Sequence, residues 1–200
     1  MKRVLTSFFV LSFLLTPIYY ANAVGTIAFD QASEQASSSG STTLTFAATV
    51  DAANETLVVF VGAETLSGAI TGVTYAGVAM TLITSQVLIG SGTKIYYLFY
   101  LNNPATGTNN VIVTRGGKQY WITAQAAAYS GTLQTGQPDS YNSTSPASTA
   151  SSLSLSTTVV ASNSWIIGGF LYDNSTTISS SQATFRGTNN ANNIGDSNGI

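Results

Sequence analysis

Hydrophobic and polar residues alternate along much of this chain, a pattern typical of β-strands with one buried side and one solvent-facing side. In Thr42–Thr49, Leu44 and Phe46 point to one side of the strand, whereas Thr43 and Thr45 point to the other. No segment shows the 3.6-residue apolar repeat of an amphipathic helix. The pattern therefore predicts an all-β protein.

Short runs rich in Val, Ile, Thr, Tyr and Phe recur between turns rich in Gly, Asn, Ser and Pro, which indicates about eleven short strands. These runs are Thr26–Asp30, Thr42–Thr49, Thr56–Ala63, Gly72–Tyr75, Val78–Thr84, Lys94–Leu101, Asn110–Arg115, Tyr120–Tyr129, Leu153–Val160, Trp165–Tyr172 and Gln182–Arg186. Many short strands with frequent turns favour an antiparallel two-sheet β-sandwich, of jelly-roll or immunoglobulin/fibronectin-like type.

Two of the predicted strands depart from simple alternation. Thr56–Ala63 is continuously apolar, which indicates a central strand. Lys94–Leu101 carries aromatic residues on both faces, and only one face of a strand points into the core of a two-sheet sandwich. We therefore expect the face with Tyr96, Leu98 and Tyr100 to be either exposed or covered by a loop.

Turns and loops divide these strands. Gly77 in the run Tyr-Ala-Gly-Val predicts a tight hairpin between two strands. Residues 131–152 form a long polar loop, a length that is uncommon unless the segment is functional or a linker. Residues 187–200 are dominated by Asn and Gly, so we expect either a flexible tail or a domain that lacks its last strand. The remainder, residues 24–200, is predicted to be a single β-sandwich domain.

The first residues have the layout of a secretory signal peptide. Lys2 and Arg3 precede an apolar run from Val4 to Leu15, and Ala21 opens an Ala-Asn-Ala cleavage pattern. The apolar run is shorter than the roughly 20 residues that a membrane-spanning helix needs. We therefore expect removal of residues 1–23, a secreted or cell-surface location, and no membrane association after cleavage.

Composition excludes several classes of function. Among the 200 residues there is no histidine and no cysteine, so the chain has no imidazole or thiolate for nucleophilic catalysis or for metal binding. Six basic residues are too few for a nucleic-acid-binding stripe. Serine and threonine together number 54, or 27% of the chain. The Asn-rich run 189–198 contains a single carboxylate, which is too little charge for a calcium site, so we expect no metal and no cofactor.

Acidic residues occur mainly where turns are expected. Asp30, Asp51, Asp139 and Asp173 fall at strand ends or in turns, positions that Asp commonly occupies. We interpret them as solvated turn residues and predict no catalytic residue. A secreted glycan-acting enzyme would instead need two carboxyl groups about 5–10 Å apart across a cleft.

Aromatic residues are the better candidates for a binding site. Sugar-binding sandwiches stack their ligands on exposed Tyr and Trp side chains. Tyr96 and Tyr100 share one face of a predicted strand, and Tyr120 and Trp121 open another. We predict these four residues as the ligand-binding platform, with the alternative that they fill the core or shield a sheet.

Four segments of the chain also resemble, in order and spacing, a family of largely uncharacterised secreted β-sandwich domains on bacterial, archaeal and phage surface proteins. The resemblance covers about Thr26–Phe185 and rests on Thr43–Phe46 with Leu57–Val61, Val73–Leu82, Tyr97–Leu101 with Pro104–Thr108 and Val111–Val113, and Ala128–Gly131. It implies a β-sandwich fold and an extracellular location, and it implies no catalytic residues.

These observations predict a non-enzymatic extracellular module with a structural or adhesive role on a cell surface or particle. The alternative is a carbohydrate-binding module that uses the aromatic platform, and a carboxylate-dependent glycan-acting enzyme is the third hypothesis. The expected partner is a glycan or a surface protein, and neither nucleic acid nor membrane is expected.

Overall fold

The computed structural model describes residues 25–33, 36–64, 69–88, 94–117, 121–145, 154–158, 163–171, 183–186 and 192–197, and all regular elements in these residues are β-strands. The strands are β1 (Ala28–Ala32), β2 (Ala36–Ser39), β3 (Thr43–Val50), β4 (Thr56–Glu64), β5 (Ile70–Tyr75), β6 (Val78–Ala79), β7 (Thr81–Leu88), β8 (Lys94–Asn102), β9 (Gly107–Arg115), β10 (Trp121–Ser130), β11 (Ile167–Leu171), β12 (Thr184–Phe185) and β13 (Asn192–Asp196). The all-β class predicted from the alternation is confirmed.

These strands form three antiparallel sheets. The central sheet has the order β1–β10–β4–β8–β7, and β2 pairs with the first half of β10 on the same edge as β1. The flanking sheet has the order β3–β9–β5–β6, and the small sheet has the order β11–β13–β12. The antiparallel sandwich is therefore present as predicted, and the small sheet is an addition to the expected two sheets.

The main core lies between the central and flanking sheets. Strand β4 sits in the middle of the central sheet, and its side chains are buried on both faces, as the continuously apolar sequence predicted. Leu57 and Val59 face the flanking sheet, whereas Val58 and Phe60 face the opposite side. Each such side chain contributes about 1.5–3 kcal/mol when it is fully buried, so β4 contributes to both cores.

The small sheet covers part of the outer face of the central sheet. Ile194 of β13 is fully buried there against Phe60 and Tyr129. Its backbone N–H donates a hydrogen bond to Oε1 of Gln125 in β10 over 3.0 Å. The small sheet is therefore attached by apolar packing and by a buried hydrogen bond.

Two segments of the C-terminal part differ from the sequence predictions. Within residues 187–200, for which a flexible tail or a missing last strand was expected, Asn192–Asp196 form β13, which pairs with β11 and β12 on either side. The strand predicted at Leu153–Val160 is not a strand over residues 154–158. These described residues lack the backbone hydrogen bonds of a β-sheet. Instead, Asn142 Nδ2 of the polar loop donates a hydrogen bond to the Ser156 carbonyl over 2.8 Å.

The described part of the long polar loop, residues 131–145, lies along the outer face of the central sheet. Asn102 Nδ2 donates to the Gln134 carbonyl over 3.1 Å, and the Tyr96 hydroxyl donates to the Thr144 carbonyl over 3.2 Å. The outer face of β8 was expected to be either exposed or covered by a loop, and at Tyr96 it is covered by the loop.

The predicted hairpin at Tyr75–Val78 joins β5 to β6. Tyr75 pairs with Val78, and the two residues between them, Ala76 and Gly77, have φ values of 48° and 80°. Two central residues with positive φ are typical of the type I′ turn. Alanine is strained in this region because its Cβ approaches the following carbonyl oxygen.

Replacing Ala76 by asparagine is expected to raise the free energy of unfolding by about 0.5–1 kcal/mol, because Asn tolerates positive φ and Asn-Gly is the preferred type I′ pair. Urea denaturation measures the change. Ala105→Asn, at another exposed position without positive φ, is the control and is expected to change stability by less than about 0.5 kcal/mol. Equal effects of the two substitutions would contradict this explanation.

Candidate functional site

The predicted aromatic platform lies on the outer face of the central sheet. Tyr96 and Tyr100 of β8 are half-buried and pack with Phe60 and Leu98 in the apolar cluster on the outer face of the central sheet. The rings of Phe60 and Tyr96 have centroids 5.7 Å apart. Burial raises the pKa of Tyr96, whose hydroxyl is held by Thr144 of the loop. Tyr96 therefore contacts the overlying loop as well as the sheet.

Trp121 begins β10 and is also half-buried. The ammonium nitrogen of Lys94 lies 5.6 Å from the centroid of its ring, within the range of a cation–π contact. Tyr120, the fourth predicted platform residue, lies outside the described residues. The structure therefore gives no continuous, exposed row of Tyr96, Tyr100 and Trp121 for a sugar to stack on.

Acidic side chains meet at one end of the sandwich, where β1 crosses the connection between β3 and β4. Glu55 is 1% exposed, and its carboxyl group lies within hydrogen-bond reach of that of Asp30. The Asp51 backbone N–H donates to Oδ2 of Asp30 over 3.4 Å. We call Asp30, Asp51 and Glu55 the acidic cluster. Asp51 is exposed, as expected for a solvated turn residue, whereas Asp30 is half-buried beside Glu55, a contact that no local sequence pattern indicates.

The environment of Glu55 favours its protonated form. Burial is the main cause and the charge of Asp30 is the second, and together they raise the pKa of Glu55 from 4.5 to about 7. A backbone hydrogen bond from Ala52 acts in the opposite direction. Direct contact between the Glu55 and Asp30 carboxyls leaves no space for a sugar between them, unlike the wider spacing of glycosidases. The pair gives no support to the glycan-acting enzyme hypothesis.

A second buried polar group lies between the central and small sheets. Asp196 of β13 accepts a hydrogen bond from the Tyr129 hydroxyl at 3.0 Å and two from Arg186, at 2.6 and 2.9 Å. The Arg186 guanidinium carbon also lies 4.2 Å from the centroid of the Phe29 ring. Burial and the Asp196 charge both raise the pKa of Tyr129, so its hydroxyl stays a donor. We interpret this network as a structural link.

The exposed face of the flanking sheet is the most regular surface of the described chain. Its outward positions are occupied by Thr, Asn, Ala, Ile or Gly, and none of them carries a charge. They are Thr43, Thr45, Ala47 and Thr49 of β3, Thr108, Asn110, Ile112 and Thr114 of β9, and Gly72 and Thr74 of β5. We call this surface the threonine face. The wet side predicted for the Thr42–Thr49 strand is part of it and is confirmed.

Register places these side chains in rows across the sheet. Thr43 is opposite Thr114, and Thr49 is opposite Thr108, with their hydroxyl oxygens 2.8 Å apart. Neighbouring strands lie about 4.8 Å apart, and alternate residues of one strand about 6.7 Å apart. The one basic residue of β9, Arg115, is buried and donates from Nε to the Ser41 carbonyl at 2.7 Å. The threonine face therefore carries neutral hydroxyl or amide groups at seven of its ten positions, interrupted by Ala47, Ile112 and Gly72.

Comparison with known proteins found no match to any family model, curated protein or solved structure. Within the described residues no helix has the length and apolar character to cross a membrane. No three acidic side chains in the same residues are arranged to hold a metal ion. The candidate sites therefore rest on the geometry alone.

Proposed function

We propose that this protein is a non-enzymatic, extracellular adhesive module that attaches to a glycan-bearing surface through its threonine face. The observation that carries the proposal is the set of neutral hydroxyl and amide groups on an exposed sheet. Each threonine hydroxyl offers one donor and two acceptor sites, which complement the hydroxyl groups of a polysaccharide. The predicted export signal, which lies outside the described residues, supports an extracellular role.

Two physical features make the threonine face suitable for attachment. β-branched threonines on a strand have few accessible rotamers, so they lose little entropy when a partner orders them. Without charged side chains, the face also avoids the desolvation cost of burying a charge against a neutral partner. Charged residues are depleted at the centres of protein interfaces for the same reason.

An aromatic platform remains the alternative site for a glycan. Trp121 and Tyr100 are both half-buried, and the hydrogen bond to the loop shown within the described residues belongs to Tyr96. A single aromatic ring supports stacking of one sugar unit. The threonine face offers several rows of hydrogen-bonding groups, and we therefore place the binding site there.

Substitution of the threonine face is expected to abolish attachment. Thr45→Glu and Asn110→Glu each place a carboxylate among the neutral rows, and each is expected to weaken binding at least tenfold in a glycan array or a polysaccharide pull-down with the purified protein. Thr81→Glu, at an exposed threonine of β7 in the central sheet, is the control and should bind normally. Circular dichroism checks that each variant is folded.

The same experiment distinguishes the alternatives. Loss of binding in Trp121→Ala, with normal binding in Thr45→Glu and Asn110→Glu, would transfer the site to the aromatic residues. Binding of the folded protein to purified surface proteins but to no glycan would contradict the glycan partner. Absence of binding to either class would contradict the adhesive function.

A further inference from the structure

The edge strand β1 contains a β-bulge at Asp30. Phe29 pairs with Tyr129 and Gln31 pairs with Ala128, so Asp30 is an extra residue without a partner on β10. A bulge changes the direction of the side chain that it carries. Here the Asp30 carboxyl reaches the connection between β3 and β4, where it contacts Glu55 and the Asp51 backbone.

Glu55 has an unsatisfied oxygen in this position. The residue is 1% exposed, and its Oε2 atom is buried without a hydrogen-bond partner among the described residues. A buried carboxylate oxygen that lacks a donor is costly. Two ionised carboxylates within hydrogen-bond reach also repel each other. Both problems are removed when a proton lies between Glu55 and Asp30.

We propose that Glu55 and Asp30 share a proton, and that this proton holds the edge strand β1 on the sandwich so that β1 detaches from β10 as the pH rises. With the proton in place, the Glu55 carboxyl donates a hydrogen bond to the Asp30 carboxylate. Without it, the buried carboxylate of Glu55 faces the half-buried carboxylate of Asp30 across the junction of β1 and β4.

The charged groups around Glu55 act in the same direction. Asp30 faces it from β1, and Asp51 faces it from the end of β3, and both favour the protonated form of Glu55. The cation next to β1, Arg186, lies over Phe29, and its guanidinium is bound by Asp196. The three acids are not arranged to hold a metal ion, which favours a proton over a divalent cation as the neutralising group.

The pH range follows from the pKa of Glu55, which is about 7 in the folded chain and 4.5 in the unfolded reference. Below the reference value Glu55 is protonated in both states, and docking of β1 has its full stability. Because the folded value is raised, the stability decreases as the pH rises from about 4.5 and is lost above about 7. Release of β1 that fully hydrates Glu55 changes the docking equilibrium by roughly two orders of magnitude, which is the upper limit of the effect.

Strand β1 is suited to local release. It has five residues, and in the part of the chain that the structure describes it pairs with β10 alone, in addition to the Ser33 N–H that donates to the Ala126 carbonyl at 2.9 Å. Short edge strands are among the elements that open without global unfolding. Its release would expose the backbone of β10 opposite β4, a ready edge for a strand from another chain.

Hydrogen–deuterium exchange of the whole protein tests this proposal. After correction for intrinsic exchange rates, protection of the amides of residues 28–33 is expected to fall by up to roughly 100-fold between about pH 5 and about pH 9. Amides of β9 should keep their protection. In Glu55→Gln, whose neutral amide also donates to Asp30, protection of β1 should be high at both pH values. Asp139→Asn, at an exposed acid of the polar loop, is the control and should behave as the unmodified protein does.

Each outcome decides the proposal. Protection of β1 that is independent of pH in the unmodified protein would overturn it, as would an unchanged pH dependence in Glu55→Gln. If Glu55→Gln does not fold by circular dichroism, Asp30→Asn provides the same comparison, because it removes the charge that faces Glu55. Protection restored at about pH 9 by millimolar CaCl2 and removed by EDTA would overturn the proton in favour of a cation.

Discussion

Replacing Asp196 by alanine is expected to lower the free energy of unfolding by about 3–5 kcal/mol, the range for removal of one partner from a buried ion pair. The Asp196 side chain is fully buried, whereas Arg186 is 14% exposed. Its loss leaves the guanidinium without the carboxylate that binds it at two nitrogen atoms, and it leaves the Tyr129 hydroxyl without its acceptor. Urea denaturation followed by circular dichroism measures the change.

The size of the effect follows from the position of Asp196. It ends β13, which pairs with both other strands of the small sheet, and Tyr129 belongs to β10 of the central sheet. One carboxylate therefore links two sheets. Tyr129→Phe removes only the hydroxyl and is expected to cost about 1–2 kcal/mol.

Asp139→Asn, at an exposed position in the polar loop, serves as the charge-matched control and should stay within about 0.5 kcal/mol. A double-mutant cycle between Asp196→Ala and Tyr129→Phe should give a coupling energy of at least about 0.5 kcal/mol. A cost below about 1 kcal/mol for Asp196→Ala would show that the network does not link the sheets.

The elements that the sequence predicted well are those whose patterns are local. Alternation in Thr42–Thr49 placed β3 with one wet side, and the apolar run from Thr56 placed β4 in the centre. The hairpin at Ala76 and Gly77 also followed from neighbouring residues. In these segments, the residues that determine burial and turn type lie within a few positions of each other along the chain.

The small sheet depends on contacts that no local pattern records. The β13 segment, Asn-Asn-Ile-Gly-Asp, has no alternation. Its position depends on Gln125 of β10, which is distant in sequence, and on Arg186, which directly follows β12. One signal was present in the sequence: β4 is apolar on both faces, and its outward residue Phe60 packs beneath the small sheet. A strand that is apolar on both faces indicates a layer on each side of its sheet.

The acidic cluster was also beyond sequence reasoning. Its three members come from β1 and from the connection between β3 and β4, and a single bulge decides that Asp30 points toward Glu55. A bulge adds one residue to a strand without a clear composition signal. The candidate threonine face, by contrast, followed partly from the alternation of β3 and needed only the register of β9 and β5 to complete it.

The second large effect is expected at Gly169 of β11, where a side chain would collide with the central sheet. A Cβ atom at this position would fall within the ring of Phe60, at its Cδ2, Cε2 and Cγ atoms. Phe60 is fully buried in β4, and the Tyr96 ring lies 5.7 Å from it, which restricts its displacement. Gly169→Ala is therefore expected to destabilise the protein by about 3 kcal/mol or more, at the upper end for overpacking.

Gly168→Ala provides a matched control one residue away in the same strand. Its Cβ would meet the Phe170 ring at 3.4 Å, an ordinary contact, and the substitution reduces the freedom of the unfolded chain. It is expected to change stability by less than about 1 kcal/mol in either direction. Comparable losses in Gly168→Ala and Gly169→Ala would show that the effect arises from the strand backbone and not from the collision.

A double-mutant cycle with Phe60 tests the cause directly. Phe60→Ala alone should cost about 3–5 kcal/mol, because it leaves a cavity beneath the small sheet. In the double variant the new methyl group enters that cavity, so the two losses should not add, and the double variant should be more stable than their sum by at least about 1 kcal/mol. Simple additivity would contradict direct packing of β11 on Phe60. The outcome would therefore decide whether the small sheet can lie against β4 because Gly169 has no side chain.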